Sequence, residues 1–380
     1  MPELGRKKQL CIEFWRRNIM KKVSTAGLIL GTVLLLGACG NSDKGSVTKP
    51  AAEAGSTAVK IKSGSYVLEE GDKAGDGAGY LALEVSVKNI SKNSIDLSSQ
   101  DFSLYDKDDD KISEKNIYSE DDSFRSFDGT SLSKGKSVDG YIVFPVEKEQ
   151  KYELHFKPIL QSDEKSKEIT LKVDASKYHD DTENIKKLAE QYVSQVFLNK
   201  TMAADKENKL KLNNDLGKEH NDFNQQFSAR LKKEFTEYVP SDAELGKAVE
   251  SFETANQKKA KINYTIDQLF PNEATVNVLP EMIAFDGIDT DSIITQFVNE
   301  NEGKYDDYEK ASIDAEKYLL QQLPSKFDSA TTSQPSDMSG EGYKINLTQK
   351  DGKWIVDSSK SDSNYDYQAL VSSFMGGLYE

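Results

Sequence analysis

The chain of 380 residues carries 49 lysines and arginines against 64 aspartates and glutamates, a net charge of −15. So acidic a surface argues against nucleic acid, anionic lipid headgroups and phosphate-rich polymers as direct partners, and leaves cationic partners, neutral glycans and counter-ions open. The two cysteines, Cys11 and Cys39, both precede residue 40, so the body beyond them has no disulfide and no thiol nucleophile.

Residues 1–19 hold Glu3, Glu13, Trp15 and Arg16-Arg17 ahead of an export signal that can start at Met20, and they read as an upstream extension. Residues 20–38 have the order of a signal peptide: Lys21 and Lys22 as the positive start, then 14 mostly apolar residues from Val23 to Leu36. That run is shorter than the roughly 20 residues a helix needs to cross a bilayer. The stretch Leu36-Gly37-Ala38-Cys39 resembles a bacterial lipobox. The resemblance implies that Cys39 takes a diacylglyceryl group and that the protein is held at the outer face of the cytoplasmic membrane. At about 0.8 kcal/mol per buried methylene, two acyl chains suffice for stable anchoring. An uncleaved apolar anchor is the alternative. Removing residues 1–38, with seven basic and two acidic residues, leaves 42 basic against 62 acidic.

Residues 39–58, rich in Gly, Ser, Ala and Lys, have the composition of a flexible tether with a reach of roughly 25 Å. About 320 residues follow, more than one core usually serves, so two domains are expected. The first, 59–174, alternates with period two. Leu81, Leu83, Val85 and Val87 share one strand face, and the rhythm returns at 102–105, 141–144, 152–156 and 169–173. Turn signals at 89–93, 106–110 and 134–136 separate the runs. Six or seven such strands predict a β-sandwich.

Leu83 to Ile90 (LEVSVKNI), Asp101 to Leu104 (DFSL), Gly135 to Phe144 (GKSVDGYIVF) and Tyr152 to Phe156 (YELHF) together resemble the telokin-like, immunoglobulin-like domain of Gram-positive lipoproteins. The resemblance covers about 100 residues and implies a sandwich in an envelope setting, with no catalytic signature. Where family members often show an Asp-Gly turn, this chain has Asp106 to Lys111, DKDDDK.

Beyond a linker at 175–181, residues 182–380 change to helical spacing. Ile185, Leu188, Ala189, Tyr192, Val196 and Phe197 recur at threes and fours, and Phe223, Phe227, Leu231 and Phe235 form an i, i+4 ridge. Ser241 and Glu244 predict a capping box. Strands are expected at 261–266 and 274–279, and a helical stretch at 290–323 broken near Gly303. A polar segment at 329–342 precedes a hairpin about Asp351-Gly352, and a helix at 365–374 ends the chain. Helices followed by a sheet predict an α+β domain. The order is similar to a C-terminal domain of unknown function in enterococcal and related lipoproteins, and to cystatin-like and nuclear-transport-factor-like cones. Such cones imply a pocket between sheet and helices.

Few residues point to chemistry. His155, His179 and His220 lie apart from one another, none at metal-ligand spacing, and all are expected on the surface. Asp106, Asp108 and Asp110 imitate the start of a calcium loop, but Lys111 and Ile117 stand where an EF-hand needs glycine and an acid. A charged hairpin tip is the expected reading, with a weak calcium site as the alternative. Ser131 to Lys134 and Ser162 to Lys165 fit S-x-x-K without its companion motifs. Tyr305, Tyr308, Tyr318, Tyr343 and Trp354 are candidates to line a ligand pocket or a glycan-stacking surface, with core packing the competing role. No catalytic residue, metal or cofactor is nominated. The expectation is a non-catalytic, lipid-anchored binding module whose partner is an envelope protein, a glycan or a small ligand. A carrier using the C-terminal pocket and a wall-polymer hydrolase using paired carboxylates are the alternatives.

Overall fold

The computed structural model describes residues 50–72, 75, 77–119, 124–127, 129–158, 167–202 and 207–379. Leu36, Gly37, Ala38 and Cys39 lie outside the described residues, as do 1–35.

The N-terminal part is a β-sandwich. Strands β1 (Ala51–Ala54), β2 (Thr57–Val67), β3 (Ala78–Asn89) and β8 (Ser137–Glu147) form one sheet in the order β1-β2-β3-β8. The facing sheet runs β10 (Ile169–Asp174), β9 (Lys151–Phe156), β5 (Phe102–Tyr105) and β6 (Lys111–Ile112), while β4 (Ile95–Leu97) pairs with β7 (Thr130–Leu132). Leu81, Leu83, Val85 and Val87 point inward, and they meet Phe102, Leu104, Leu154, Phe156 and Leu171 from the other sheet. Period-two alternation therefore becomes a core because each strand buries one face.

Residues expected to be tether are partly sheet. Ala51–Ala54 pairs with β2 in the register Ala51↔Lys60 to Ala54↔Thr57, and the amide of Ile61 donates to Pro50 O at 3.0 Å. The sequence AAEA has little strand preference of its own; an available edge of β2 supplies the hydrogen bonds that order it.

The strand ends define two poles. At one, the Gly55-Ser56 turn, the 90–94 loop and the 133–136 turn converge on Asn89, which is fully buried. Its Nδ2 donates to Asn93 O and Leu132 O, both at 2.8 Å, and its Oδ1 accepts from Ser91 N and Oγ, also at 2.8 Å. The other pole carries the C-terminal part.

That C-terminal part is α+β. Helices α1 (Thr182–Leu198), α2 (Leu216–Lys233) and α3 (Asp242–Lys259) come first, followed by β11 (Lys261–Leu269) and β12 (Glu273–Ile283). Helices α4 (Thr290–Glu300) and α5 (Tyr308–Phe327), short β13 (Thr332–Ser333), β14 (Tyr343–Lys350), β15 (Lys353–Val356) and α6 (Tyr365–Phe374) complete it. The sheet is ordered β11-β12-β14-β15. The Ser241–Glu244 capping box forms, and the helical stretch expected at 290–323 is two helices separated around Gly303, whose φ is 77°. Asp351 and Gly352, with φ of 53° and 75°, make the tight β14–β15 hairpin.

The two parts meet along a continuous seam. Leu68 and Leu269 exchange both backbone hydrogen bonds at 2.8 Å, which joins the end of β2 to the end of β11. Tyr66 N donates to His179 O at 3.0 Å. Phe270 packs on Phe124 at 4.9 Å between ring centroids, within a small cluster that includes Val67, Ala82 and Val143. Lys344 of β14 pairs with Glu70 and Asp267 at 2.5 and 2.9 Å.

Candidate functional site

The sandwich opens a cavity of about 400 Å³ at its seam end, where the early turns of β3 and β9 leave the two sheets apart. Tyr80, Asp106, Ile112, Pro145, Glu147 and Tyr152 are among its lining. The Tyr152 hydroxyl is already engaged, accepting from Glu147 N at 2.8 Å. The ring of Tyr80 carries the Lys115 ammonium at 3.9 Å, which in turn pairs with Asp72 and Glu69. Two carboxylates, two phenols and an apolar floor can receive a small polar or cationic group. The residues lining the cavity include no Ser, Thr, Cys, His or Lys, so it offers no ordinary nucleophile or histidine base.

Asp106 enters this cavity from the hairpin once considered for calcium. Its Oδ1 accepts from Asp108 N at 2.9 Å and Asp110 N at 3.0 Å, so the carboxylate closes the turn of its own backbone. Asp109 sits at φ 63°, and the Asp108 side chain is 69% exposed. No group of three or more acidic, His or Cys side chains among the described residues is placed to hold a metal ion. The Asp106 carboxylate, one of the three calcium candidates with Asp108 and Asp110, is thus occupied by backbone amides of its own turn.

The five aromatics do not gather into one pocket. Tyr305 and Tyr318 flank Phe297 at 6.0 and 5.5 Å between α4 and α5, Tyr305 bonding Asp314 at 2.9 Å, while Tyr308 is 58% exposed. Tyr343 and Trp354 are buried in the sheet, where residues 211–213 cover the Trp354 backbone. The space between helices and sheet is filled by Tyr192, Phe197, Phe227, Phe252, Phe327 and Phe374. Alternation on β14 and β15 places Tyr343 and Trp354 among the buried positions, whereas Tyr308 stays outside.

The histidines also need correction. His179 is exposed in the linker, and His155 lies tilted against the Tyr105 ring at 4.6 Å and bonds Glu168 at 2.8 Å. His220 is instead largely enclosed between α1, α2 and α3. Its Nδ1 lies 2.9 Å from Val196 O, its Nε2 3.1 Å from Asn224 Nδ2, and its Nδ1 3.8 Å from Glu253 Oε1. Glu253 is 4% exposed, and burial pushes its carboxyl up to about 8. Asn224 Oδ1 and Glu253 Oε1 have no hydrogen-bond partner. Sequence reasoning missed this group; the i, i+4 spacing of His220 and Asn224 on the apolar ridge of α2 is the signal that points to it.

Nearby, Tyr192 donates to Glu219 and lies 2.7 Å from the Tyr367 hydroxyl, while Asn214 ties Glu219 to Val356 O. Burial pushes both phenols up. These polar groups hold α1, α2, α6 and β15 together.

Residues 49–169 match a family model described as a domain of unknown function, DUF4352. Over 160 residues the chain is 34% identical to the uncharacterized lipoprotein YcdA of Bacillus subtilis (strain 168), a match that spans 40% of this chain and 44% of that relative. The crystal structure of the lipoprotein ycdA from Bacillus subtilis subsp. subtilis str. 168 aligns over 85% of this chain and 98% of its own, at 25% identity and a TM-score of 0.62. The expected resemblance to lipoproteins of Gram-positive bacteria is borne out. A sandwich-rich first part followed by an α+β region is likewise observed. The aligned part covers less than half of YcdA, whose name assigns it no activity. No helix among the described residues is long and apolar enough to cross a membrane.

Proposed function

We propose that this chain is a lipoprotein anchored through a diacylglyceryl group on Cys39 at the outer face of the cytoplasmic membrane, and that it works there as a non-catalytic interaction module. Similarity to YcdA carries this reading, because it joins a lipoprotein name to a chain that has Leu36-Gly37-Ala38-Cys39 at the end of a signal-like run. The cavity lining, with no Ser, Thr, Cys, His or Lys, disfavours nucleophile–base catalysis there. In this reading the sandwich is immunoglobulin-like, of the telokin-like kind, and the C-terminal part is a helix-wrapping sheet related to cystatin-like or nuclear-transport-factor-like cones. Its occluded interior favours an outer binding surface over an internal carrier pocket.

The test is mass spectrometry of the protein extracted from membranes, then natively sprayed after exposure to its own envelope extract. A diacylated N-terminus at Cys39 and a protein-sized adduct are expected. An unlipidated N-terminus refutes anchoring. A retained small molecule supports the carrier instead, and turnover of peptidoglycan by the same preparation supports the hydrolase.

A further inference from the structure

The net charge hides a local reversal. Six lysines, Lys88, Lys92, Lys134, Lys136, Lys157 and Lys167, are all exposed and all belong to the sandwich end opposite the seam. Backbone bonds place them together. Asn89 N donates to Lys136 O at 2.9 Å, Gly135 N donates to Asn89 O at 2.9 Å, and Ile90 N donates to Ser56 O at 2.9 Å. Lys88 pairs with Ser137 across β3 and β8. A Cβ on Gly55 would stand 3.3 Å from that of Lys167, and Lys157 N donates to Asp101 O at 2.9 Å.

None of the six has an ion-pair partner among the described residues. Elsewhere in the sandwich Lys62, Lys115 and Lys148 are each held by an acid, while Lys60, Lys111, Lys151 and Lys172 are exposed and spread along the strands, so it is the clustering that sets the pole apart. Of the described acids at this pole, Asp101 is buried in its cap, Glu168 is joined to His155, and Asp96 has an interaction of its own. Glu53 and Glu168 are the exposed acids among these.

The way the chain enters sets the orientation. The described residues start at Pro50, bonded to Ile61 on the flank of β2, and β1 runs from there toward the lysine pole. Ten residues lie between Cys39 and Pro50, so eleven Cα-to-Cα steps join them. Fully extended they span at most about 40 Å, enough slack for the pole to touch the surface that holds the anchor.

We propose that the lysine pole of the sandwich docks on an anionic phospholipid surface, so that the protein stands on the membrane with its C-terminal part outermost. This rests on the anchoring through Cys39 proposed above. It also revises the expectation from net charge: repulsion acts from the outer part, whereas attraction acts within a Debye length of the lysines, about 8 Å in physiological salt. Each lysine near such a surface is worth about a fivefold change in the docked-to-undocked ratio.

The lipidated chain reconstituted in vesicles tests this. A fluorophore on Ser133→Cys reports the pole, and one on Lys360→Cys reports the C-terminal part; a nitroxide on the lipid headgroup is the quencher. Quenching of the Ser133→Cys label is expected on phosphatidylcholine vesicles containing phosphatidylglycerol and not on phosphatidylcholine alone, and it should fade in high salt. The Lys360→Cys label stays bright on both. Replacing Lys92, Lys134, Lys136 and Lys167 together by serine should lower the docked ratio tenfold or more, while replacing Lys232, Lys247, Lys304 and Lys353 by serine leaves it unchanged.

Equal quenching on both vesicles, or a pole variant that still discriminates, overturns docking while leaving the anchor intact. Protein that fails to float even with neutral vesicles overturns the anchor, and docking with it. Displacement of the pole by soluble polyglycerolphosphate in place of phosphatidylglycerol assigns the lysines to a wall polymer and overturns the lipid assignment.

Discussion

Replacing Glu253 by glutamine should make the protein more stable in alkali and change little in acid. The carboxyl is 4% exposed, and burial raises it from the ordinary 4.5 to about 8. Because the folded state holds this proton more tightly than the unfolded chain, its contribution is fully present below pH 4.5 and is lost as pH rises through about 8. At 1.36 kcal/mol per unit, the loss between pH 6 and pH 9 is about 2–3 kcal/mol. Glutamine keeps the shape and has no proton to lose. For a part of this size that difference corresponds to a Tm gap of roughly 5–10 °C at pH 9, closing toward pH 5. Thermal unfolding of both proteins, followed by circular dichroism from pH 5 to 9, measures it. Parallel profiles would refute the reasoning. So would destabilisation of Glu253→Gln near pH 6, since Glu253 would then be charged in the folded protein.

Three further outcomes follow from buried contacts. Glu316 is 1% exposed and accepts from the amides of Thr236, Glu237 and Tyr238 and from the Thr236 hydroxyl at 2.7–3.2 Å. Glu316→Ala strands these donors and should cost about 3–5 kcal/mol in urea unfolding; a loss below about 1 kcal/mol would mean that water replaces the carboxylate. Asn89→Ala should destabilise the sandwich by about 2–3 kcal/mol and speed amide exchange at residues 91–93, whereas unchanged exchange there would deny Asn89 its role as the knot of that pole. Phe270→Ala removes a ring that is 1% exposed at the seam. It should cost about 3–5 kcal/mol and split a single calorimetric transition into two; one undivided transition in the variant would show that the backbone clasp at Leu68 and Leu269 is enough to couple the parts.

Much of the architecture could be read from spacing, for a physical reason: wherever one face of an element is buried, side-chain chemistry repeats with that element's period. Leu81 to Val87, the Phe223 to Phe235 ridge and the Asp351-Gly352 turn all show it. Ala51 to Ala54 hides its strand because pairing with β2, not its side chains, orders it. His220 looks exposed beside Glu219 and Asn221, yet a helix turns 100° per residue, and its inward face is shared with Phe223, Asn224 and Phe227 at i+3, i+4 and i+7. The lysine pole is scattered over about 80 positions in sequence, and only hydrogen bonding around Asn89 and the closure of β9 and β10 collect it. Long-range pairing of this kind leaves no local trace, which is also why the cavity between Tyr80 and Tyr152 had no counterpart in the sequence.

The clasp between Leu68 and Leu269 has a consequence for length. Strand β2 covers the distance from the turn at Gly55 to that clasp with 11 residues at about 3.3 Å each, or roughly 35 Å, and with one register shift against β3 between Ile61 and Ser63. The separation between the lysine pole and the C-terminal sheet is therefore counted in residues of a strand and does not fluctuate with a coil. Away from the register shift at Ile61 and Ser63 it changes in steps of two. Removing a pair of residues from β2, with matching pairs from its neighbours, shortens the molecule by about 7 Å with the same side chains inward, whereas removing one turns the core face out to water.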